Sequence, residues 1–167
     1  MIKTVGIVGA GQMGNGIAHV CGLAGLNVLL HDINETQIES GLATIAGNLA
    51  RQVSSEKISD GERQSALDKI SAAVDIEALG AADLVIEAAS ENELVKQEIF
   101  AKLCPVLNKD AILASNTSSI SITRLAAVTD RPEKFLGIHF MNPVPLMQLV
   151  ELVRGIATDE ETFKTAQ

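Results

Sequence analysis

The sequence is poor in aromatic residues and in positive charge. Its 167 residues include four Phe and no Trp or Tyr, while 47% are hydrophobic, so we expect an aliphatic core. The 13 Lys and Arg are outnumbered by 21 Asp and Glu, which gives a net charge of -8. This balance argues against nucleic acid as a partner and offers no basic surface to an anionic membrane. No apolar run approaches the roughly 18–20 residues that span a bilayer.

Cysteine is also scarce. Cys21 and Cys104 lie far apart in predicted helices. Two isolated thiols favour buried side chains in a reducing cytoplasm over a disulfide or a metal site. The first residues lead directly into a predicted strand and do not resemble a signal peptide. We therefore expect a cytoplasmic protein with no metal centre.

Glycine, in contrast, is placed in a pattern at the start of the chain. The predicted strand Thr4–Val8 leads into Gly9-Ala-Gly11-Gln-Met-Gly14, which opens an apolar helix. A second predicted strand, 27–31, ends at Asp32. This is the G-x-G-x-x-G arrangement that binds a dinucleotide pyrophosphate at a helix N-terminus. An acidic residue after the second strand accepts hydrogen bonds from a ribose and repels a 2′-phosphate, so the pattern predicts NAD rather than NADP.

The middle of the chain alternates predicted strands with helices. Helices are expected over about 34–53, 62–69, 93–103 and 121–128, and strands over 70–74, 84–87 and 111–115. Apolar strands separated by helices indicate an α/β fold with a doubly wound, mostly parallel, Rossmann-like sheet. The length predicts one dinucleotide-binding domain over residues 1–167.

The last part of the chain follows another pattern. Two strand-like runs, 135–141 and 148–153, are separated by only six residues, too few for a crossover helix, so they should form an antiparallel pair. Thr158-Asp-Glu-Glu161 resembles a capping box for a helix that has barely begun at Gln167. We expect that a second domain follows in the parent protein.

Pairing those two strands about the centre of their connection places His139 opposite Glu151. A carboxylate beside an imidazole fixes its tautomer and stabilises its cation, which suits a general acid/base. A one-residue slip in register would separate the two side chains, and a histidine in a strand is often only a packed or surface residue.

Two polar loops follow strands and should lie at the carboxyl edge of the sheet, where ligands bind in such folds. Ser115-Asn-Thr-Ser-Ser119 either binds a substrate oxygen or is an ordinary turn with local caps. In the other loop, Glu91 and the following Lys96 either contact the nicotinamide half of the cofactor or form a solvated start to a helix.

Four segments, VGIVGAGQMGNGIA, VIEAASENELVK, SNTSS and HFMNPVPLMQLVE, together resemble the N-terminal domain of the NAD-dependent 3-hydroxyacyl-CoA dehydrogenases of the 3-hydroxybutyryl-CoA type. The resemblance covers essentially the whole chain. It implies transfer of a hydride between NAD and C3 of an L-3-hydroxyacyl-CoA in fatty acid metabolism such as β-oxidation. His139 would be the acid/base, Glu151 its partner, and Ser118 the hydroxyl that contacts substrate and cofactor. The implied cofactor site consists of Gly9, Gly11, Gln12, Met13, Gly14, Asp32, Glu91, Lys96, Ser118 and Asn142.

The sequence departs from the family in two ways. The family's helical second domain, which carries a further active-site asparagine and most of the homodimer interface, is absent. Where the family has a serine and lysines near CoA, this chain has Asn48, Ser54 and Ser55, and only Arg51 and Lys57 remain as cations. Weak CoA binding or another acyl carrier is therefore one alternative. The others are a dehydrogenase of a free 3-hydroxy acid or a sugar acid and a non-catalytic NAD-binding or structural module.

Overall fold

Short apolar segments form the seven strands of a single sheet in the computed structural model, which describes residues 1–167. Val, Ile and Leu dominate the central strands because both faces of a parallel sheet are covered by helices. The strands are β1 Thr4–Val8, β2 Asn27–His31, β3 Ile70–Ala72, β4 Leu84–Glu87, β5 Ile112–Ser115, β6 Phe135–Phe140 and β7 Val150–Arg154. Their order is β3-β2-β1-β4-β5-β6-β7, with every pair parallel except β6 and β7.

Six α-helices accompany the strands, five of them between strands and the last after β7. They are α1 Gln12–Leu23, α2 Glu35–Ser54, α3 Asp60–Lys69, α4 Glu93–Leu103, α5 Ile122–Ala126 and α6 Glu160–Ala166. Two 3-10 helices, Ile76–Ala81 and Pro132–Lys134, precede β4 and β6. The predicted doubly wound sheet and its terminal antiparallel pair are confirmed, and most element bounds differ from the prediction by one or two residues. No helix combines the length and the apolar character needed to cross a membrane.

The core lies on both faces of the sheet and is aliphatic, as predicted. One cluster of 18 buried residues includes α1 and α2, and a second of 14 lies beneath α4 and α5. The only aromatic pair is Phe100 with Phe135, edge to face at 4.8 Å between ring centroids. Both cysteines are free thiols, and burial raises the pKa of Cys21 to about 12. The core thus fixes the helices around the sheet and leaves the strand ends to form the site.

The start of α6 corrects one prediction. The Thr158–Glu161 spacing predicted Thr158 as the cap, but the capping side chain is Asp159, which accepts a hydrogen bond from the amide of Thr162 at 2.6 Å. Thr158 is buried, and its hydroxyl donates to the carbonyl of Phe135 at 2.6 Å. The hydroxyl therefore ties the chain to β6, and the neighbouring aspartate caps the helix. The predicted Asn34 cap of α2 is confirmed by its hydrogen bond from the amide of Thr36.

Candidate active site

The loop between β1 and α1 requires glycine at two of its three motif positions. Gly9 has φ +103°, and a Cβ there would lie 2.7 Å from the carbonyl oxygen of Ala88. A Cβ at Gly14 would lie 1.6 Å from the carbonyl oxygen of Gly9. At Gly11 nothing lies within 4 Å of an added Cβ, so the space in front of the helix N-terminus is open. The backbone at the start of α1 can therefore be approached closely by a diphosphate.

Asp32 is held against this loop. One carboxylate oxygen accepts a hydrogen bond from the amide of Ala10 at 2.9 Å, and the other accepts from the amide of Asn34 at 3.2 Å. Because each carboxylate oxygen has a further lone pair, these bonds fix the side chain without exhausting its acceptor capacity. Asp32 is thus oriented toward the place that the motif assigns to a ribose.

A cleft of about 740 Å³ extends from the glycine loop along the carboxyl edge of the sheet. Carboxylates dominate its charged lining, which consists of Asp32, Asp75, Glu77, Glu98 and Lys102. A cleft with four carboxylates and one lysine disfavours the additional negative charge of a 2′-phosphate on the adenosine ribose. The lining supports an adenosine without a 2′-phosphate.

The antiparallel pair at the far end of the sheet joins His139 to Glu151. The two residues face each other in the β6–β7 register, which confirms the predicted pairing. The distance from Nδ1 of His139 to Oε2 of Glu151 is 2.9 Å, and the two side chains are 21% and 52% exposed. Since a carboxylate only accepts, Nδ1 carries the proton, and Nε2 remains as the acceptor for a substrate proton.

His139 lies in a pocket of about 300 Å³ that shares Ala88 and Ala89 with the larger cleft. The sequence-predicted residues that this pocket brings together are Met13, Glu91, Lys96, Ser118, His139 and Asn142. The sequence indicated Asn116 only as a member of the Ser115–Ser119 loop and did not predict its contact: its side-chain oxygen accepts a hydrogen bond from the amide of Phe140 at 2.8 Å and ties that loop to β6. An elongated ligand that enters at the glycine loop can therefore end beside the imidazole.

Glu91 organises the loop that carries Ser118. Its Oε1 accepts from the hydroxyl of Thr117 at 2.5 Å and from the amide of Ser118 at 3.1 Å. Burial acts to raise the pKa of Glu91, but the Thr117 hydrogen bond and the charge of Lys96 outweigh it, and the pKa is lowered. The loops after β4 and β5 are thus joined by an ionised carboxylate.

Lys96 is not part of a solvated helix start, which was one of the two interpretations of the sequence. The Lys96 side chain is 1% exposed, and its Nζ lies 2.7 Å from Oε1 of Glu87, 2.9 Å from Oε2 of Glu87 and 3.4 Å from Oε2 of Glu91. Glu87, fully buried, also accepts from the hydroxyl of Ser115 at 2.6 Å and from the amide of Ala89 at 2.7 Å. This buried ion pair therefore connects β4, α4 and β5 beneath the pocket.

Glu87 was missed because it ends an apolar run and reads as the last residue of a buried strand. The sequence did contain one indication of the ion pair. Lys96 follows Glu87 by nine positions and lies on the helix that packs against the strand of Glu87. A lysine and a glutamate that both face a core must be paired.

Comparison with known proteins identifies the family of the chain. The family described as "3-hydroxyacyl-CoA dehydrogenase, NAD binding domain" matches residues 4–167. The chain belongs to this family. Its cofactor is NAD, which confirms the prediction made from the glycine motif and Asp32.

Individual relatives of the chain are described as 3-hydroxybutyryl-CoA dehydrogenases. The chain is 60% identical over its full length to a 3-hydroxybutyryl-CoA dehydrogenase of Bradyrhizobium diazoefficiens, of which it covers 57%. It is 47% identical over 161 residues to a probable 3-hydroxybutyryl-CoA dehydrogenase of Bacillus subtilis, covering 96% of this chain and 56% of the relative. The crystal structure of (S)-3-hydroxybutyryl-CoA dehydrogenase from Ralstonia eutropha is similar with a TM-score of 0.97 and 48% identity, covering 99% of this chain and 59% of that one. The chain thus spans little more than half the length of these relatives.

In this NAD-binding domain of the 3-hydroxyacyl-CoA dehydrogenase family, the residues expected near CoA lie along a groove that continues from the pocket around His139. Asn142 and Asn48 line its first part, where Gln12 donates to Asn142 at 3.2 Å. Asn48, Arg51 and Lys57 line its second part, and Arg51 donates a hydrogen bond to Asn48. The structure therefore brings Asn48, Arg51 and Lys57 together in one part of this groove.

Proposed function

We propose that this chain is the cofactor-binding part of an NAD-dependent enzyme that oxidises L-3-hydroxyacyl-CoA to 3-ketoacyl-CoA and catalyses the reverse reaction. The observation that carries the proposal is that the His139–Glu151 pair shares a pocket with Ser118 and Asn142 where the dinucleotide cleft ends. An acid/base beside the end of a dinucleotide site is what oxidation of a secondary alcohol requires.

The reaction divides between the cofactor and the side chains. When bound, NAD accepts the hydride that leaves C3 of the substrate. His139 takes the hydroxyl proton at Nε2, and Glu151 holds the imidazole in that tautomer and stabilises the cation that forms. Ser118 orients the substrate oxygen and the cofactor, and in the reverse direction protonated His139 returns the proton. Protons and electrons balance, because the alcohol loses one proton and one hydride.

The binding roles follow the lining of the three cavities. Gly9, Gly11, Gln12, Met13 and Gly14 form the loop for the diphosphate of NAD. Asp32 binds the adenosine ribose, while Glu91, Lys96, Ser118 and Asn142 surround the nicotinamide half. Asn48, Arg51 and Lys57 would contact the CoA moiety along the groove, with Arg51 and Lys57 supplying the only positive charges there.

We further infer that the whole enzyme contains a helical second domain after residue 167 and forms a homodimer through it in the cytoplasm. Exposed apolar side chains around β7 support such a covering domain: Leu146, Met147, Leu149, Val150, Val153 and Ile156. The isolated 17.6 kDa chain should be a monomer in light scattering. A chimera that joins this chain to the remaining part of the Bradyrhizobium relative should be a dimer.

The decisive experiment measures oxidation of NADH at 340 nm with acetoacetyl-CoA, using this chain and the same chimera. The chimera should turn over, and His139→Gln should reduce its rate by about 100-fold or more while NADH binding, followed by fluorescence, stays near wild type. Absence of NADH binding by the wild-type chain, or equal turnover by the His139→Gln chimera, would contradict the proposal. Turnover of acetoacetate at the same rate as acetoacetyl-CoA would instead support a free 3-hydroxy acid as substrate.

The ribose assignment has a separate test. Asp32→Ala should weaken NAD⁺ binding by about tenfold, because the ribose of NAD⁺ loses a hydrogen-bond acceptor. NADP⁺ binding should stay the same or improve, because the variant no longer repels the 2′-phosphate. Calorimetric titration of both cofactors measures the difference. Equal losses for both would mean that Asp32 only supports the loop through its hydrogen bond from Ala10.

A further inference from the structure

The pocket around His139 contains one carboxylate whose charge is not cancelled. Its titratable lining groups are Glu91, Lys96 and His139. Lys96 is paired with the buried Glu87 at 2.7 and 2.9 Å, and its distance of 3.4 Å to Glu91 is longer. Glu87, Lys96 and Glu91 together carry a net charge of −1. Since Lys96 is compensated from beneath, the Glu91 carboxylate, 43% exposed, presents that charge to the pocket.

The nicotinamide ring must occupy this same pocket. In the proposed reaction the hydride leaves C3 and the proton leaves the oxygen bonded to C3, so the ring and Nε2 of His139 would contact adjacent atoms of the substrate. Glu91 lines the pocket with His139 and contacts the Ser118 loop directly. The ring is cationic in NAD⁺ and neutral in NADH. A fixed negative charge in this pocket therefore interacts differently with the two redox states of the cofactor.

We propose that Glu91 gives the site a preference for the oxidised cofactor, and that Glu87 preserves this preference as a positioning residue by cancelling the charge of Lys96. This inference rests on the proposed function. The hydrogen bonds that Thr117 and Ser118 donate to Glu91 keep its carboxylate ionised and fixed, so its charge does not depend on the presence of cofactor.

The test compares the dissociation constants of NAD⁺ and NADH for the 167-residue chain, by calorimetry and by NADH fluorescence. Glu91→Gln keeps the size of the side chain and an oxygen acceptor for Thr117 but removes the charge. The ratio Kd(NAD⁺)/Kd(NADH) should rise by about threefold to tenfold. Glu91→Asp, which keeps the charge, should hold the ratio within about twofold of wild type even if both affinities fall.

Glu93→Gln is the matched control. It removes the same charge two positions away, from a carboxylate that pairs with Arg124 at 2.6 Å and does not line the pocket. Its ratio should equal that of the wild type. An equal rise for Glu93→Gln, or an unchanged ratio for Glu91→Gln, would overturn the inference, whereas failure of the wild type to bind either cofactor would refute the proposed function itself.

The role of Glu87 is tested by variants that change the net charge of the Glu87, Lys96 and Glu91 cluster. Glu87→Gln leaves Lys96 uncancelled and brings the cluster to neutrality, so its ratio should rise as it does for Glu91→Gln. The double variant Glu87→Gln/Lys96→Met restores a net charge of −1 and avoids an unpaired buried charge, so its ratio should return toward the wild-type value. A double variant whose ratio stays raised would show that Glu87 acts only through packing and would overturn its assigned role.

Discussion

The two acid–base pairs of the site contrast in their access to water. Glu87 and Lys96 are almost fully buried, and the carboxylate accepts four hydrogen bonds from three partners, Lys96, Ala89 and Ser115. His139 and Glu151 are partly exposed and are held by a single hydrogen bond. A buried pair is held in one ionisation state, because a lone charge would be left without water, whereas an exposed pair can gain or lose a proton at little cost. The first pair therefore suits support of the site, and the second suits proton transfer.

The largest loss of stability is expected from a substitution that breaks the buried pair of Glu87 and Lys96. Glu87→Gln should lower the free energy of unfolding by about 3–5 kcal/mol, because the buried Lys96 loses its close counter-ion and keeps only the longer contact of 3.4 Å with the partly exposed Glu91. Urea denaturation measures the loss. Glu87→Gln/Lys96→Met should lose less than Glu87→Gln alone. A double variant less stable than either single variant would show that the two residues do not act as a pair.

The exposed pair should respond in activity and not in stability. Glu151→Gln in the chimera should reduce turnover by about tenfold or more, because the amide can hold the ring in the other tautomer and does not stabilise the imidazolium. Its free energy of unfolding should change by less than about 1 kcal/mol. Glu160→Gln, an exposed carboxylate paired with Arg154, is a matched control and should retain full turnover. A large loss of stability with Glu151→Gln would contradict the contrast.

His19 provides a second comparison with His139, because it is a buried histidine with no carboxylate partner. Its Nε2 donates to Gln52 at 3.0 Å, and Nδ1 has no partner. Burial lowers the pKa of His19 below its ordinary value of 6.5, and the Gln52 hydrogen bond offsets only part of this effect. The unfolded chain therefore binds a proton more readily, so the contribution of His19 to stability is full above pH 6.5 and is lost as the pH falls through the folded-state pKa.

The corresponding measurement is the urea midpoint at about pH 7.5 and about pH 5.5. The midpoint should fall on acidification, and His19→Gln should reduce that fall because the neutral side chain cannot take up a proton. An identical fall in the variant would mean that other groups account for the pH dependence.

The smallest effect is expected at the surface. Arg124 and Glu93 are close, at 2.6 Å, but their side chains are 65% and 28% exposed. Glu93→Gln should lower the free energy of unfolding by no more than about 1 kcal/mol, because water screens the pair and replaces its hydrogen bonds. A loss comparable to that of Glu87→Gln would show that burial is not the property that separates the strong pair from the weak one.

The parts of the molecule that local pattern determines were predictable from sequence. The glycine motif fixed the β1–α1–β2 unit, and the short connection between the last strands fixed the pairing of His139 with Glu151. Interactions between distant segments were not predictable. The ion pair of Glu87 with Lys96 depends on how α4 lies on β4, and Asp159 caps α6 because Thr158 is drawn to a carbonyl of β6. Spacing alone allowed either residue as the cap.

The geometry of the last two strands also has a consequence for how the chain folds. His139 and Glu151 are 12 positions apart, whereas the bond between Ser115 and Glu87 spans 28 positions and the β1–β4 pairing joins Val5 to Leu84. Closing a short loop loses less chain entropy than closing a long one, so local pairings form faster than distant ones. We therefore expect the strand pair that carries His139 and Glu151 to assemble early, and the cleft at the glycine loop to form only when β1 pairs with β4.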